Sequence, residues 1–232
     1  MNRSRLLRLA QIVVQIVLVV LLVLLAVRVI LMTADLWIPI EYRAPGFPQD
    51  RFGFSTQDRI FWSQVDVEYL LGDYDLSYFD DYTLPDGAPM HNERELKHMQ
   101  DVYDLIQIIW KLSGWGALVA ILGLVVLGRF GSTELIERIL TSTARWTLLL
   151  MVILGVGLLV GFGVFFVGFH RIFFEGNTWI FAYSDTFIRL YPERFWRDTF
   201  ALVVVLTLLE AGVLFLIGRY GIRALKRPGS DR

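Results

Sequence analysis

Hydrophobic and polar positions along the chain separate into four long apolar runs and two polar stretches of unequal importance. The first run, Gln11 to Met32, has about the 20 residues that a helix needs to cross a bilayer. Arg3, Arg5 and Arg8 precede it, and a basic head before an apolar stretch is also how a signal peptide opens. The run nevertheless has the length of a full span, and no small-x-small cleavage pattern follows before Asp35, which predicts an uncleaved first helix. A second run begins near Val102 and ends at Gly128, a third covers Trp146 to Phe169 and a fourth Phe200 to Ile217. Trp37, Trp110, Trp146 and Trp196 mark their ends, as side chains that prefer the headgroup level do. The pattern predicts an all-α polytopic membrane protein, a four-transmembrane-helix bundle with a partly helical extracytoplasmic cap. Its segments are an N-terminal tip and first span (1–33), an outer segment (34–101), a second span (102–128), an inner loop (129–145), a third span (146–170), an outer loop (171–198), a fourth span (199–221) and a tail (222–232).

Orientation follows from the lysines and arginines. The N-terminus carries three, the loop Arg129 to Arg145 three, and the tail Arg219, Arg223, Lys226, Arg227 and Arg232. The positive-inside rule makes these segments cytoplasmic. Asp66, Glu68, Asp73, Asp75, Asp80, Asp81 and Asp86 then collect on the opposite side. The outer segment is too long for a plain connection and too rich in aromatics for a disordered linker. Within it, Ser55 to Gly72 reads as a helix, with Ser55 as its cap, Asp58 in its first turn and Gly72 at its end; Ile60, Phe61, Val65 and Leu71 form its apolar side. Tyr74 to His91, rich in Asp, Pro and Gly, reads as a mobile loop. No internal repeat is visible.

Composition adds three constraints. The chain is 55% hydrophobic with a mean hydropathy of +0.53, and its net charge of −1 hides the asymmetry between the two sides. The absence of cysteine excludes disulfides, thiolate metal sites and a cysteine nucleophile. With three histidines, each can be judged individually. Asn92 opens a helix with Glu95 three residues on, a capping-box arrangement, and that helix runs without a break into the second span. His98 and Asp101 fall on one face of it, just before the apolar run. His170 directly follows the third span. Both imidazoles are therefore expected at the outer headgroup boundary, where lipid ester linkages lie and a group titrating near neutral pH can serve as general base or acid. The plainer reading makes an interfacial histidine an amphipathic anchor, Asp101 a first-turn helix charge and His91 a solvated loop residue.

The segments ERELKHMQDVYDL and GFHRIFFEGNTWIFAYSDTFIRLYP, with the earlier FGFS and VEYLLGDYDL, resemble the lipoprotein intramolecular transacylase family of Gram-positive-type bacteria. The resemblance covers nearly the whole chain, and its two histidine-centred motifs are its most specific part. In that family two outer-face histidines serve the reaction; HM-x-DV places the first on His98 and FH-x-x-FF the second on His170. The Asp-rich insert before His91, and His91 itself, match no family feature. The implied reaction moves one acyl chain within a diacylglyceryl-modified lipoprotein, from the sn-2 position of the glyceryl group to the α-amine of the N-terminal cysteine. One histidine would take the amine proton and the other protonate the departing alkoxide, in an order the sequence does not set. Asp101 or Asp185 is expected to fix the tautomer of one imidazole, and Asn177, Trp179 and Arg189 to donate to the oxyanion or headgroup. Trp179 as a belt residue and Arg189 as a partner of lipid phosphate are the plainer roles.

Partners are expected to be lipoproteins and membrane lipid, without nucleic acid, cofactor or metal; homo-oligomerisation is left open. Two other readings stay in view. Ser184 beside Asp185 could serve a Ser-dependent acyltransferase or hydrolase, although G-x-S-x-G is absent. A non-enzymatic membrane scaffold is the other. Within the spans, Glu210 is expected to face the bundle interior and to pair structurally, with Lys111 as its candidate partner. Gly157 and Gly161, flanked by Gly155 and Gly163, are expected to let another helix approach closely.

Overall fold

The computed structural model of the protein describes residues 3–221, so the expected tail 222–232, with Arg223, Lys226, Arg227 and Arg232, lies outside the described residues. Its helices are α1 (Arg3–Met32), α2 (Ala34–Tyr42), α3 (Thr56–Leu71), α4 (Glu93–Phe130), α5 (Thr133–Phe173), α6 (Thr186–Leu190) and α7 (Glu193–Leu216), with a 3-10 turn at Leu76–Asp81 and a π-helical turn at Ile217–Gly221. Extended pairing among the described residues is limited to one bridge, Thr83 with Pro89.

α1, α4, α5 and α7 with its following turn are long and apolar enough to cross a membrane. Protein covers only 11% to 28% of the most apolar stretch of each, and Leu159, Val160 and Val164 stand more than 80% exposed on α5. Apolar surface on that scale is stable in lipid rather than water, because a helix satisfies its own backbone there. The protein is an integral membrane protein. At 1.5 Å per residue the 38-residue α4 is about 57 Å long against about 30 Å of hydrocarbon, so it is longer than a crossing requires.

The chain divides into two compact units. The first takes the segment up to Arg28, Ile109–Val156, and the chain from Leu202 onward. Its core is Val14, Leu18 and Leu21 of α1, Ala120 and Leu127 of α4, and Ile139 and Leu140 of α5. Glycines set the closeness of α1 and α4: a Cβ on Gly123 would overlap Val14, and one on Gly116 would touch Leu21. The glycines expected to mediate close packing do not. Among the described residues a Cβ on Gly155, Gly157 or Gly163 would meet nothing within 4 Å, and one on Gly161 only Val164 of its own helix. Nor do Lys111 and Glu210 pair. Lys111 is exposed, and Glu210 Oε2 is buried without a hydrogen-bond partner among the described residues. Arg28 does bind inside this unit: it donates to Ser113 Oγ at 2.9 Å and lies 4.5 Å over the Trp110 ring.

The second unit takes Val29–Ile108 and Gly157–Ala201. α3 forms as its sequence demands: Ser55 Oγ accepts from the Asp58 N–H while the Asp58 carboxylate accepts from the Ser55 N–H, a closed capping box, and the chain leaves the helix at Gly72. Trp62, Val65 and Tyr69 from α3 pack with Phe79, Met90, Met99, Phe187 and Leu190 into one core, and Ala34, Ile38, Tyr42, Ile60 and Phe195 form another. Tyr42 donates to the Leu190 carbonyl at 3.0 Å.

Residues 74–91 are not the mobile loop that their Asp, Pro and Gly content predicts. Asp75 caps the 3-10 turn by accepting from Ser77, the Thr83–Pro89 bridge closes a tight turn at Gly87, and Phe79, Met90 and His91 are buried. Aromatic packing decides this. Tyr69 meets Phe79 at 4.8 Å and Tyr78 at 6.0 Å, contacts between segments that composition treats separately.

Candidate active site

The first turn of α4 is fixed by a reciprocal cap. Asn92 Oδ1 accepts from the backbone N–H groups of Arg94 and Glu95, and a Glu95 carboxylate oxygen accepts from the Asn92 N–H at 2.9 Å. His98 follows less than one turn later, its ring boxed by Phe174 at 4.8 Å, Phe181 at 5.6 Å and Phe187 at 6.0 Å. Its Nδ1 is buried without a hydrogen-bond partner among the described residues. Burial, and secondarily the neighbouring His170, push the His98 imidazole down to about 4, so its neutral form prevails. His170 stands in the last turn of α5, its ring stacked on His98 at 6.0 Å between centroids and an angle of 28° between planes. His170 Nδ1 lies 2.8 Å from the Phe166 carbonyl. A carbonyl only accepts, so Nδ1 carries the proton and Nε2 presents a lone pair.

Both imidazoles line a cavity of about 360 Å³ in the second unit, within the roughly 300–1,000 Å³ typical of small-molecule sites. Its wall is mostly apolar, with Phe162, Phe166 and Phe181 prominent. Lower on α5 the helix is interrupted at Gly161, where φ is −155° and ψ 54°, immediately before the lining residues Phe162 and Gly163.

The other expected site residues are distributed unevenly. Trp179 belongs to the cavity: its ring is 4.9 Å from His170, and its Nε1 is buried with no acceptor among the described residues. Asp101 and Asp185 do not orient an imidazole. Asp101 Oδ2 accepts from Thr178 Oγ1 at 2.9 Å, tying α4 to the loop after α5, and Asp185 Oδ2 accepts from the Ala182 N–H at 2.8 Å within its own turn. The orienting group is instead the Phe166 carbonyl. Arg189 is committed elsewhere, paired with Asp50 at 3.2 Å, donating to the Phe52 carbonyl and lying 3.4 Å over the Phe54 ring. Asn177 and Ser184 are exposed and line no part of the cavity.

Residues 12–196 match the family of the lipoprotein intramolecular transacylase Lit. The chain belongs to that family. An uncharacterized protein of Aquifex aeolicus is 26% identical to it over 197 residues, covering 85% of this chain and 88% of that one. The membrane integral lipoprotein intramolecular transacylase of Bacillus cereus superposes with a TM-score of 0.73 at 18% identity, covering 97% of this chain and 99% of that chain. A histidine-to-alanine variant of the Bacillus protein superposes at 0.69. Across this transacylase fold the architecture is shared at an identity too low to carry residue roles.

Some members of the site are not apparent in the sequence. Asp66 reads as one surface acid among several, yet it is 1% exposed and lines the cavity. His91, expected in solvent, is 2% exposed, with Nε2 at 2.7 Å from Asp66 Oδ1. Tyr191 donates to Asp66 Oδ2 at 2.7 Å, and burial raises its phenol well above the usual range. Glu95, beyond its capping role, accepts from the Phe187 N–H at 2.7 Å; burial raises its carboxyl. The signal for His91 was its place directly before the Asn92 cap, where the chain turns inward.

Proposed function

We propose that this protein transfers the sn-2 acyl chain of a diacylglyceryl-modified lipoprotein to the α-amine of its N-terminal cysteine, leaving a lyso-form lipoprotein. The carrying observation is the pair His98 and His170, from helix ends distant in sequence, stacked in one apolar cavity of lipid-accommodating character. In this reading the spans are 1–33, 102–128, 146–170 and 199–221, the basic segments are cytoplasmic, and the cavity opens at the extracytoplasmic side of the membrane.

The amine and the ester belong to one molecule, so a large part of the task is to hold them in attacking geometry. The amine nitrogen attacks the sn-2 carbonyl carbon, forming the N–C bond and placing negative charge on the carbonyl oxygen. His170, whose Phe166 contact leaves Nε2 free to accept, takes the proton from the nitrogen. The C–O bond to the glyceryl group then breaks, and the same proton passes to the departing alkoxide. No water is consumed, and no acyl-enzyme is needed. His98, neutral and buried, suits donation to the oxyanion, as does the unpartnered Trp179 N–H.

Mass spectrometry of the N-terminal lipopeptide of a reporter lipoprotein tests this. Transfer conserves acyl mass while moving one chain from glycerol to nitrogen. The shift should require the protein and vanish with His98→Ala or His170→Ala while both variants stay membrane-inserted. Loss of an acyl chain would indicate a hydrolase, and normal product from both variants would refute the histidine chemistry.

A further inference from the structure

The cavity wall carries a buried carboxylate that the steps above do not use. Asp66 is held from two sides, by His91 Nε2 at 2.7 Å on Oδ1 and by the Tyr191 hydroxyl at 2.7 Å on Oδ2, and Phe187 stands between His91 (4.7 Å) and His98 (6.0 Å). Among the described residues no Lys or Arg pairs with Asp66; Arg189, a cation of the same α6 region, is bound to Asp50. A carboxylate offers about four lone-pair positions, and two are occupied. Two therefore remain in a mostly apolar wall that the imidazole pair also lines. Burying a charge in such a wall is costly unless something meets it.

We propose that Asp66 is the amine subsite, the group that receives the N–H donors of the lipid-modified cysteine's α-amine; this rests on the transfer reaction described above. The chemistry supplies the reason for a fixed negative charge here. When the amine nitrogen attacks the ester carbon its lone pair becomes the N–C bond, so the nitrogen turns cationic until His170 removes a proton. A carboxylate already oriented by His91 and Tyr191 opposes that charge without reorganising, and favours the transition state over the neutral amine. His91, with Nδ1 4.0 Å from Glu95 Oε2 and no place in the cavity lining, is a positioning residue that acts through Asp66. Glu193 also lines the cavity but is exposed at the head of α7, where water screens it.

The test separates binding from transfer. In a His98→Ala background, which retains Asp66 but not the transfer, the affinities of a synthetic diacylglyceryl-cysteinyl lipopeptide and of its N-acetylated counterpart are compared in detergent micelles. The free-amine ligand should bind at least about tenfold more tightly. Adding Asp66→Asn, which keeps size and an acceptor oxygen for Tyr191, should cut that preference to within about twofold and leave the N-acetyl affinity unchanged. A preference that survives Asp66→Asn overturns the assignment. Should the double variant fail to fold, zero-length carbodiimide coupling of the free-amine lipopeptide to the His98→Ala protein answers the same question with Asp66 in place. A cross-link mapped to Asp66 is the expected result, and one confined to Glu193, or none, overturns it. If the unaltered protein makes no lyso-form product but amine preference still depends on Asp66, the transfer reading fails and the subsite stands.

Discussion

His91→Ala removes an imidazole that touches nothing outside the protein, and its cost can be worked from contacts. The substitution deletes the 2.7 Å bond to Asp66 and strands a buried carboxylate oxygen. Hydrogen bonds to charged groups are worth about 1.5–3 kcal/mol, with more at stake when the partner stays buried. The ring also meets Phe79 at 5.1 Å and Phe187 at 4.7 Å, both edge-to-face; such pairs contribute roughly 0.5–1.5 kcal/mol each. The low end of the sum is about 2.5 kcal/mol, which for a chain of this size lowers Tm by at least roughly 5 °C. His98→Phe is the matched contrast. His98 Nδ1 has no partner to lose, and its neighbours are aromatic, so this substitution should leave Tm unchanged or raise it while removing activity. Thermal unfolding of both variants in one detergent, followed by tryptophan fluorescence, decides the matter. A Tm for His91→Ala within 2 °C of the unaltered protein, or equal losses in the two variants, would refute the reasoning.

Further outcomes follow from the same contacts. His170→Ala should lower single-turnover transfer by about 10²- to 10⁴-fold, the usual contribution of a general base, measured by lipopeptide mass spectrometry. In histidine-labelled protein, the resonance lost on His98→Phe should belong to an imidazole that stays neutral from pH 8 to pH 5, because burial holds it down to about 4; a midpoint near 6.5 would contradict this. The linked stability has a definite sign: the unfolded imidazole binds its proton near 6.5 and the folded one near 4, so this contribution is full above 6.5 and is lost as pH falls toward 4. Gly123→Val should cost roughly 1–3 kcal/mol by forcing α4 off Val14, whereas Gly157→Val, where nothing lies within reach, should change Tm far less.

The sequence was informative wherever local rules decide. Span positions follow from apolar run length, and the caps at Ser55 and Asn92 from side chains within three residues of their targets. His98 and His170 were visible as histidines at helix ends, and the motif resemblance paired the two rings that the fold stacks. What stayed hidden was set by partners far along the chain. Asp66 meets Tyr191 across 125 residues and Arg189 meets Asp50 across 139, separations that no periodicity encodes. Residues 74–91 look like a loop because their turn-forming composition is local, while the aromatic packing that orders them is not. Asp101 or Asp185 was expected to fix the tautomer of one imidazole, but a backbone carbonyl of α5 already fills that role for His170.

The bond from the Phe187 N–H to Glu95 spans 92 residues, and it dictates an order of birth. Synthesis at about 5–20 residues per second puts roughly 5–18 seconds between the two partners. Throughout that interval Tyr69, Met90 and Met99 have emerged without the Phe187 and Leu190 that will cover them. The nascent chain must shelter this greasy surface, against lipid headgroups or a chaperone, until Phe187 and Leu190 follow. Because His170 and the lining residues up to Thr199 also arrive after this interval begins, the cavity stays open-walled until that stretch has emerged.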